Sequence, residues 1–145
     1  RFCLNEKDQN ARYLLIGTGT GVTPYRAMLP QLKHMMDTRG VEVVMLFGSR
    51  TEEDLIYRED FYAFAAENPK FRFMPCFSRE VPANATADAR RGYVQEQLAE
   101  LVPNGAHDIA YLCGNPNMVD ASFEALKEFG LSVQHIRREK YVSSK

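Results

Sequence analysis

Tyr13-Leu14-Leu15-Ile16-Gly17-Thr18-Gly19-Thr20-Gly21-Val22-Thr23-Pro24 is a short apolar run that empties into glycine at every second position and leaves through a proline. The apolar residues predict a buried strand, and the proline opens an amphipathic helix predicted from about Thr23 to Asp37. Glycines let the backbone turn sharply and bring its N–H groups against a ligand with no Cβ in the way. The positive end of the following helix is aimed at the same spot, so the expected guest is a phosphate. A bare strand-to-helix turn is the competing reading. One glycine would serve for such a turn, whereas this loop interleaves three with hydroxyls.

The chain has 145 residues, 45% of them apolar and 26% charged, which suits one globular domain with a real core. A net charge of −1 argues against general affinity for nucleic acid or anionic membranes. No apolar stretch approaches the ~20 residues of a membrane span, and no signal-peptide pattern opens the chain. Cys3, Cys76 and Cys113 are odd in number and widely spaced, which points away from a disulfide framework or metal site and towards a reducing cytoplasm. There is no initiator Met, and Arg1-Phe2-Cys3-Leu4 places large apolar residues on alternate positions of a candidate strand. It reads either as the tail of a preceding segment or as an arbitrary boundary.

Strand and helix patterns alternate from the glycine loop outward. Buried strands are predicted at Arg12–Ile16, Val41–Phe47, Phe71–Phe77 and Asp108–Cys113, with a weaker one near Val133–Arg137. Helical spacing appears at Pro24–Thr38, Arg58–Glu67, Val94–Leu101 and Pro116–Phe129, and Val81–Arg91 reads as a surface loop. This order predicts an α/β fold, a doubly wound five-stranded parallel sheet with helices on both faces. Ligands of such sheets lie beyond the C-terminal ends of the strands.

The strand ends are therefore the informative positions. The glycine loop is neither the G-x-G-x-x-G fingerprint nor a P-loop, and no acidic residue stands at the end of the second strand to hold an adenosine ribose. That strand ends in Gly48-Ser49-Arg50, and the third ends in Ser78-Arg79-Glu80, with Arg90, Arg91 and Tyr93 a loop later. Each arginine alone reads equally as a solvated surface charge. Together Arg50, Arg79 and Arg91 beside Ser78 suit a nucleotide with an additional phosphate, NADP rather than NAD. The fourth strand ends in Cys113-Gly114-Asn115-Pro116-Asn117-Met118, a tight turn into a helix beside the first glycine loop. A thiol there is either a polarizable wall for a flat ligand or an inert buried cysteine. His34, His107 and His135 lie away from it and suggest no covalent catalysis.

These motifs together resemble the ferredoxin–NADP reductase family, and more narrowly the NADP-binding domain of its bacterial ferredoxin/flavodoxin reductases. The resemblance runs from Gly17 to Tyr141. Thr18-Gly19-Thr20-Gly21-Val22-Thr23-Pro24 is similar to the family's T-G-T-G-x-x-P loop for pyrophosphate and nicotinamide, and Gly48-Ser49-Arg50 matches its G-x-R strand end. Ser78-Arg79-Glu80 looks like the S-R-E whose Ser and Arg hold the 2′-phosphate. Arg91-x-Tyr93-x-Gln95 resembles the segment in which a basic residue grips that phosphate and a Tyr faces adenine. Cys113-Gly114-Asn115-Pro116-x-Met118 matches C-G-x-P-x-M, whose Cys lies by the reacting nicotinamide.

The resemblance also implies an FAD-binding barrel ahead of this domain. Residues 1–10 are then the remnant of the connecting segment and 11–145 the NAD(P)-binding domain. It implies a terminal aromatic residue that packs on the flavin, matched here by Tyr141, although Val142-Ser143-Ser144-Lys145 runs on beyond it. The expected function is hydride transfer between NADPH and FAD, with electrons exchanged with ferredoxin or flavodoxin. An NADH-using reductase component of an oxygenase, cytochrome b5 or flavohaemoglobin system is the nearer alternative. A non-redox nucleotide-binding module is the more distant one.

Overall fold

The computed structural model describes residues 2–141; Arg1 and the run 142–145 lie outside the described residues. Strands β1 (Arg12–Thr18), β2 (Glu42–Ser49), β3 (Phe71–Phe77), β4 (Arg90–Arg91), β5 (Asp108–Gly114) and β6 (Ile136–Lys140) form one sheet in the order β4-β3-β2-β1-β5-β6. Every pairing is parallel. Strands with cover on both faces read as continuous apolar runs, and their side chains still alternate between the two layers. Tyr13 and Leu15 of β1 join a core that takes in Met28, Leu32 and Met35 of α1 (Thr23–Arg39) and Phe61 of α2 (Arg58–Glu67). Leu14 and Ile16 belong to the opposite core, with Leu98 of α3 (Leu98–Leu101) and Val119, Phe123 and Leu126 of α4 (Pro116–Glu128).

Helix α1 starts with Pro24 in its first turn and stops at Gly40, whose φ of 69° admits a left-handed cap; its N–H donates to the Met36 carbonyl at 3.0 Å. Tyr25 is fully buried, and its hydroxyl lies 2.8 Å from the Ile16 carbonyl and 2.9 Å from that of Tyr111. One O–H is thus shared between neighbouring strands β1 and β5, just below the glycine loop. Burial raises the Tyr25 pKa well above its usual value, which keeps the hydroxyl a donor.

Three elements differ from the expectation. The sheet has six strands rather than five, because Arg90–Arg91 pairs with Cys76 and Phe77 inside the stretch read as a loop. Arg90 is fixed there by Glu100 and by the carbonyls of Ala87 and Ala89, partners remote from any local hydrophobic pattern. The last strand starts at Ile136, since Val133–His135 forms an exposed 3-10 turn and only Ile136 is buried against the sheet. The helix expected over Val94–Leu101 divides into a 3-10 turn, Val94–Gln97, and the single turn of α3.

Residues 2–10 join no strand, but they are not detached. Phe2 sets its ring edge-on to Tyr111 at 5.2 Å, and Leu4 is buried. Asp8 receives two hydrogen bonds from Arg137, at 2.6 and 2.8 Å, and Arg137 also donates to the Tyr111 hydroxyl at 2.8 Å.

Candidate functional site

A cleft of about 620 Å³ opens across the C-terminal ends of β1, β2, β3 and β5. Its floor is Gly48, Cys76 and Val94, small or apolar groups from strand ends and the turn after β4. Thr18 and Gly19 form one wall, with Asn115, Asn117 and Met118 from the start of α4 beside them. Ser49, Arg50, Asp54 and Ser78 form the other, closed by Gly92, Tyr93 and Gln95.

Backbone hydrogen bonds bring the basic strand ends together. The N–H groups of Ser78 and Arg79 donate to the carbonyls of Ser49 and Arg50 at 2.9 and 3.1 Å, which holds the β2 and β3 ends side by side. Arg91 pairs in register with Phe77, the residue before Ser78. Arg79 and Arg91 are exposed beside the cleft rather than within its lining. Arg90, by contrast, is occupied by Glu100, and the Arg90 hydrogen bond holds the Glu100 carboxyl down at about 2. The paired arginine therefore orders β4, and its neighbour Arg91 stands exposed.

The glycines after β1 divide by role. Gly19 has φ +53° with open space where a Cβ would stand, so it serves the turn and leaves the backbone accessible. A Cβ on Gly21 would overlap the Cys113 carbonyl and come within 2.6 Å of the Gly114 Cα. Gly114 has φ +136° and lies against Thr18. Thr18 Oγ1 accepts the Asn115 N–H at 2.9 Å, while Asn115 Oδ1 accepts the Met118 N–H at 3.1 Å and caps α4. The buried pair Gly21 and Gly114 thus lets the loops after β1 and β5 pack as one unit. Thr20 is exposed on the 3-10 turn Gly19–Val22; Thr23 borders a shallow groove between α1 and α2, with Pro24 half-buried behind it.

Cys113 and Tyr141 do not line the cleft. Cys113 belongs to the α1/α2 core, and the Tyr141 N–H donates to the Gly114 carbonyl at 2.7 Å. Burial pushes the Cys113 thiol up to about 11 and the Cys76 thiol up to about 12, whereas Cys3 is exposed. Alkylation with iodoacetamide at pH 8 is expected to modify Cys3 quickly and the other two only after denaturation, since thiolate is the reacting form. Mass mapping of the labelled thiols checks this; fast labelling of Cys113 in the native chain would contradict it.

Arg50 and Asp54 are the charged residues of the cleft lining, and α4 starts beside them with Asn117 and Met118. Neither α1 nor α4 carries an acidic residue in its first turn, so both positive helix ends are uncompensated. Gln95 presents a buried Oε1 with no hydrogen-bond partner among the described residues, an acceptor available to a donor such as an exocyclic amine. Gly48, Asp54, Cys76, Gly92, Val94 and Asn117 are lining residues that the sequence reading did not select. Asp54 stands four residues after Arg50 and pairs with it at 3.5 Å. Among the described residues no group of three His, Cys, Asp or Glu side chains is placed to hold a metal ion, and no helix is long and apolar enough to cross a membrane.

Residues 15–123 match the family model described as oxidoreductase NAD-binding domain. Ferredoxin–NADP reductase B of Sorangium cellulosum is 35% identical over 135 residues, covering 88% of this chain and 53% of that protein. The reductase subunit of an aromatic O-demethylase from an Amycolatopsis species is 35% identical over 136 residues, covering 94% of this chain and 39% of its own length. Among solved structures, the Amycolatopsis cytochrome P450 reductase GcoB superposes with a TM-score of 0.79 at 31% identity, over 97% of this chain and 40% of that one. The chain spans about half or less of the length of these relatives.

Proposed function

Because this chain is an NAD(P)-binding oxidoreductase domain of the ferredoxin–NADP reductase family, we propose that it is the NADP(H)-binding half of a flavin-dependent reductase. The observation that supports this best is the joining of the β2 and β3 ends, where the Arg79 backbone is bonded to Arg50 and Arg91 pairs with Phe77, beside the cleft side lined by Ser49, Arg50 and Ser78. Guanidinium groups suit the 2′-phosphate of NADP(H) because they donate in a fork that matches its oxygens. Tyr93 offers a face for adenine, and Gln95 Oε1 an acceptor for its amine. Thr18, Gly19 and Thr20, with the α1 start at Thr23 and Pro24, take the pyrophosphate and ribose opposite Asn115 and Met118. Gly21 and Gly114 hold those two loops together, and Cys113 with Tyr141 marks the nicotinamide end.

When bound, the nicotinamide supplies a hydride to FAD or takes one from it; this chain supplies placement and charge. The flavin belongs to a separate unit, for which residues 1–10 are the connecting segment and 11–145 the nucleotide domain. Electrons then pass to or from ferredoxin or flavodoxin, and the three free cysteines suit the reducing cytoplasm. A second reading, an NADH-using reductase component of an oxygenase, draws on Asp54 in the cleft and on relatives such as the O-demethylase reductase subunit.

Calorimetric titration of the 145-residue chain with NADP+ is expected to show one site per chain. NADPH absorbance should stay constant when the flavin-free chain is mixed with ferricyanide. Turnover under those conditions would sink the half-enzyme reading, and failure to bind NADP+ would sink the nucleotide site.

A further inference from the structure

We propose that Asn104 is a self-modifying site, where the Gly105 backbone amide closes on the Asn104 side chain. Residue 104 is thereby converted, with loss of ammonia and uptake of water, into a mixture of aspartate and isoaspartate, and the start of β5 is loosened. The site lies in the loop that leads into β5, at the opposite end of the sheet from the cleft. Asn104-Gly105 is the one Asn-Gly pair in the sequence. Ring closure needs the N–H of the following residue and room for it to approach, and glycine gives both because it has no Cβ. Asn68 and Asn115 precede proline and lack that N–H. The N–H that follows Asn117 is Met118's, which already donates to Asn115 Oδ1 at 3.1 Å.

Asn104 is exposed, and the Gly105 N–H donates to no acceptor among the described residues. Asn104 Oδ1 accepts the Ala106 N–H at 2.7 Å, which folds the side-chain amide back over the Gly105 peptide. That same N–H points at the oxygen on which negative charge builds as the ring closes, and a fixed backbone donor there lowers the barrier. The rest of the residue is also held. Its N–H donates to Asp108 Oδ2 at 2.8 Å, and its carbonyl accepts from the His107 and Asp108 N–H groups at 3.2 and 2.9 Å. The reacting groups are therefore kept near each other before reaction. In the step, a bond forms between Gly105 N and Asn104 Cγ while the Cγ–Nδ2 bond breaks. The Gly105 amide proton passes through solvent and leaves on Nδ2 as ammonia. Water then opens the succinimide at either carbonyl, with no change of oxidation state. Packing retains the labile pair, since a Cβ on residue 105 would overlap the Gly130 carbonyl.

Isoaspartate lengthens the main chain by one atom, which shifts the Asn104 carbonyl away from the N–H groups of His107 and Asp108. Asp108 is also the carboxylate that accepts from Arg12 at 2.7 and 2.9 Å, so the change reaches the starts of β1 and β5. The test is to hold the 145-residue chain in mildly alkaline buffer at physiological temperature, native and unfolded in urea, with Asn104→Gln alongside. Peptide masses locate the change, and an isoaspartate-specific methyltransferase detects the rearranged product. The native chain should gain about 1 Da first at residue 104, at a rate within about tenfold of the unfolded chain, and should become a methyl acceptor. Asn104→Gln, whose longer side chain closes a larger ring, should do neither. The isoaspartyl fraction, separated by ion exchange, should melt about 3 °C or more below the unmodified chain. A native rate more than about tenfold below the unfolded one would mean that the fold protects Asn104, and would overturn the proposal. So would an earlier gain at another asparagine, or a gain without methyl acceptance, which would mean direct hydrolysis without the ring. Equal melting of the two forms would overturn the loosening of β5.

Discussion

Arg79→Ala is expected to weaken NADP(H) about fiftyfold while moving NAD(H) by less than about threefold, the difference being the charge-assisted bonds that only the 2′-phosphate accepts. Arg79 is suited to that split by its place. Its backbone is tied to Arg50 across the β2–β3 edge, while its side chain is exposed and outside the cleft lining. Removing the guanidinium should therefore leave the floor formed by Gly48, Cys76 and Val94 undisturbed. Titration of NADP+ and NAD+ against the variant measures the two affinities directly. Equal weakening would mean that Arg79 acts on a part common to both nucleotides, and the 2′-phosphate assignment would be wrong. Raising the salt concentration should narrow the wild-type preference in the same direction, since exposed charges are screened.

Gly21→Ala is expected to destabilise the chain by about 3 kcal/mol and to lose nucleotide binding with it. The new methyl would meet the Cys113 carbonyl and the Gly114 Cα, which are backbone atoms of the neighbouring strand end and cannot swing aside as a long side chain can. Relief would require the β1 and β5 loops to separate. That would break the Thr18–Asn115 hydrogen bond and shift the cap of α4. Gly19→Ala is the internal control. It has open space and only the left-handed φ of +53°, so its cost should be about 1 kcal/mol. Urea unfolding of the two variants compares them, and equal stabilities would show that the close approach at Gly21 does not matter.

These contrasts mark how far local sequence pattern carries. Tyr13–Ile16, the Val43–Phe47 run and Ile109–Cys113 announce buried parallel strands because every residue must be apolar when both faces are covered. Strand β4 is not legible: two arginines carry no apolar pattern, and their strand geometry comes from pairing with Cys76 and Phe77 and from the clamp by Glu100. The strand-end motifs contribute Thr18, Ser49, Arg50, Ser78 and Asn115 to the cleft lining. They did not separate Gly19, which faces open space, from Gly21, which is spent on packing against β5. Asp54 escaped for a related reason, since a carboxylate several residues past a strand end reaches the site only through the turn of the backbone.

The amino-acid sequence by itself determined the alternation of strand and helix, the two-sided core and the clustering of hydroxyl, glycine and arginine at strand ends. Each is a local property set by side-chain hydrophobicity and backbone freedom. The tertiary structure alone decided that Arg50 and Arg79 stand together, that Cys113 and Tyr141 lie outside the cleft lining, and that Asp54 lines it. Those facts depend on parallel pairing between residues far apart in the chain, whose energies leave no mark on any short stretch of sequence.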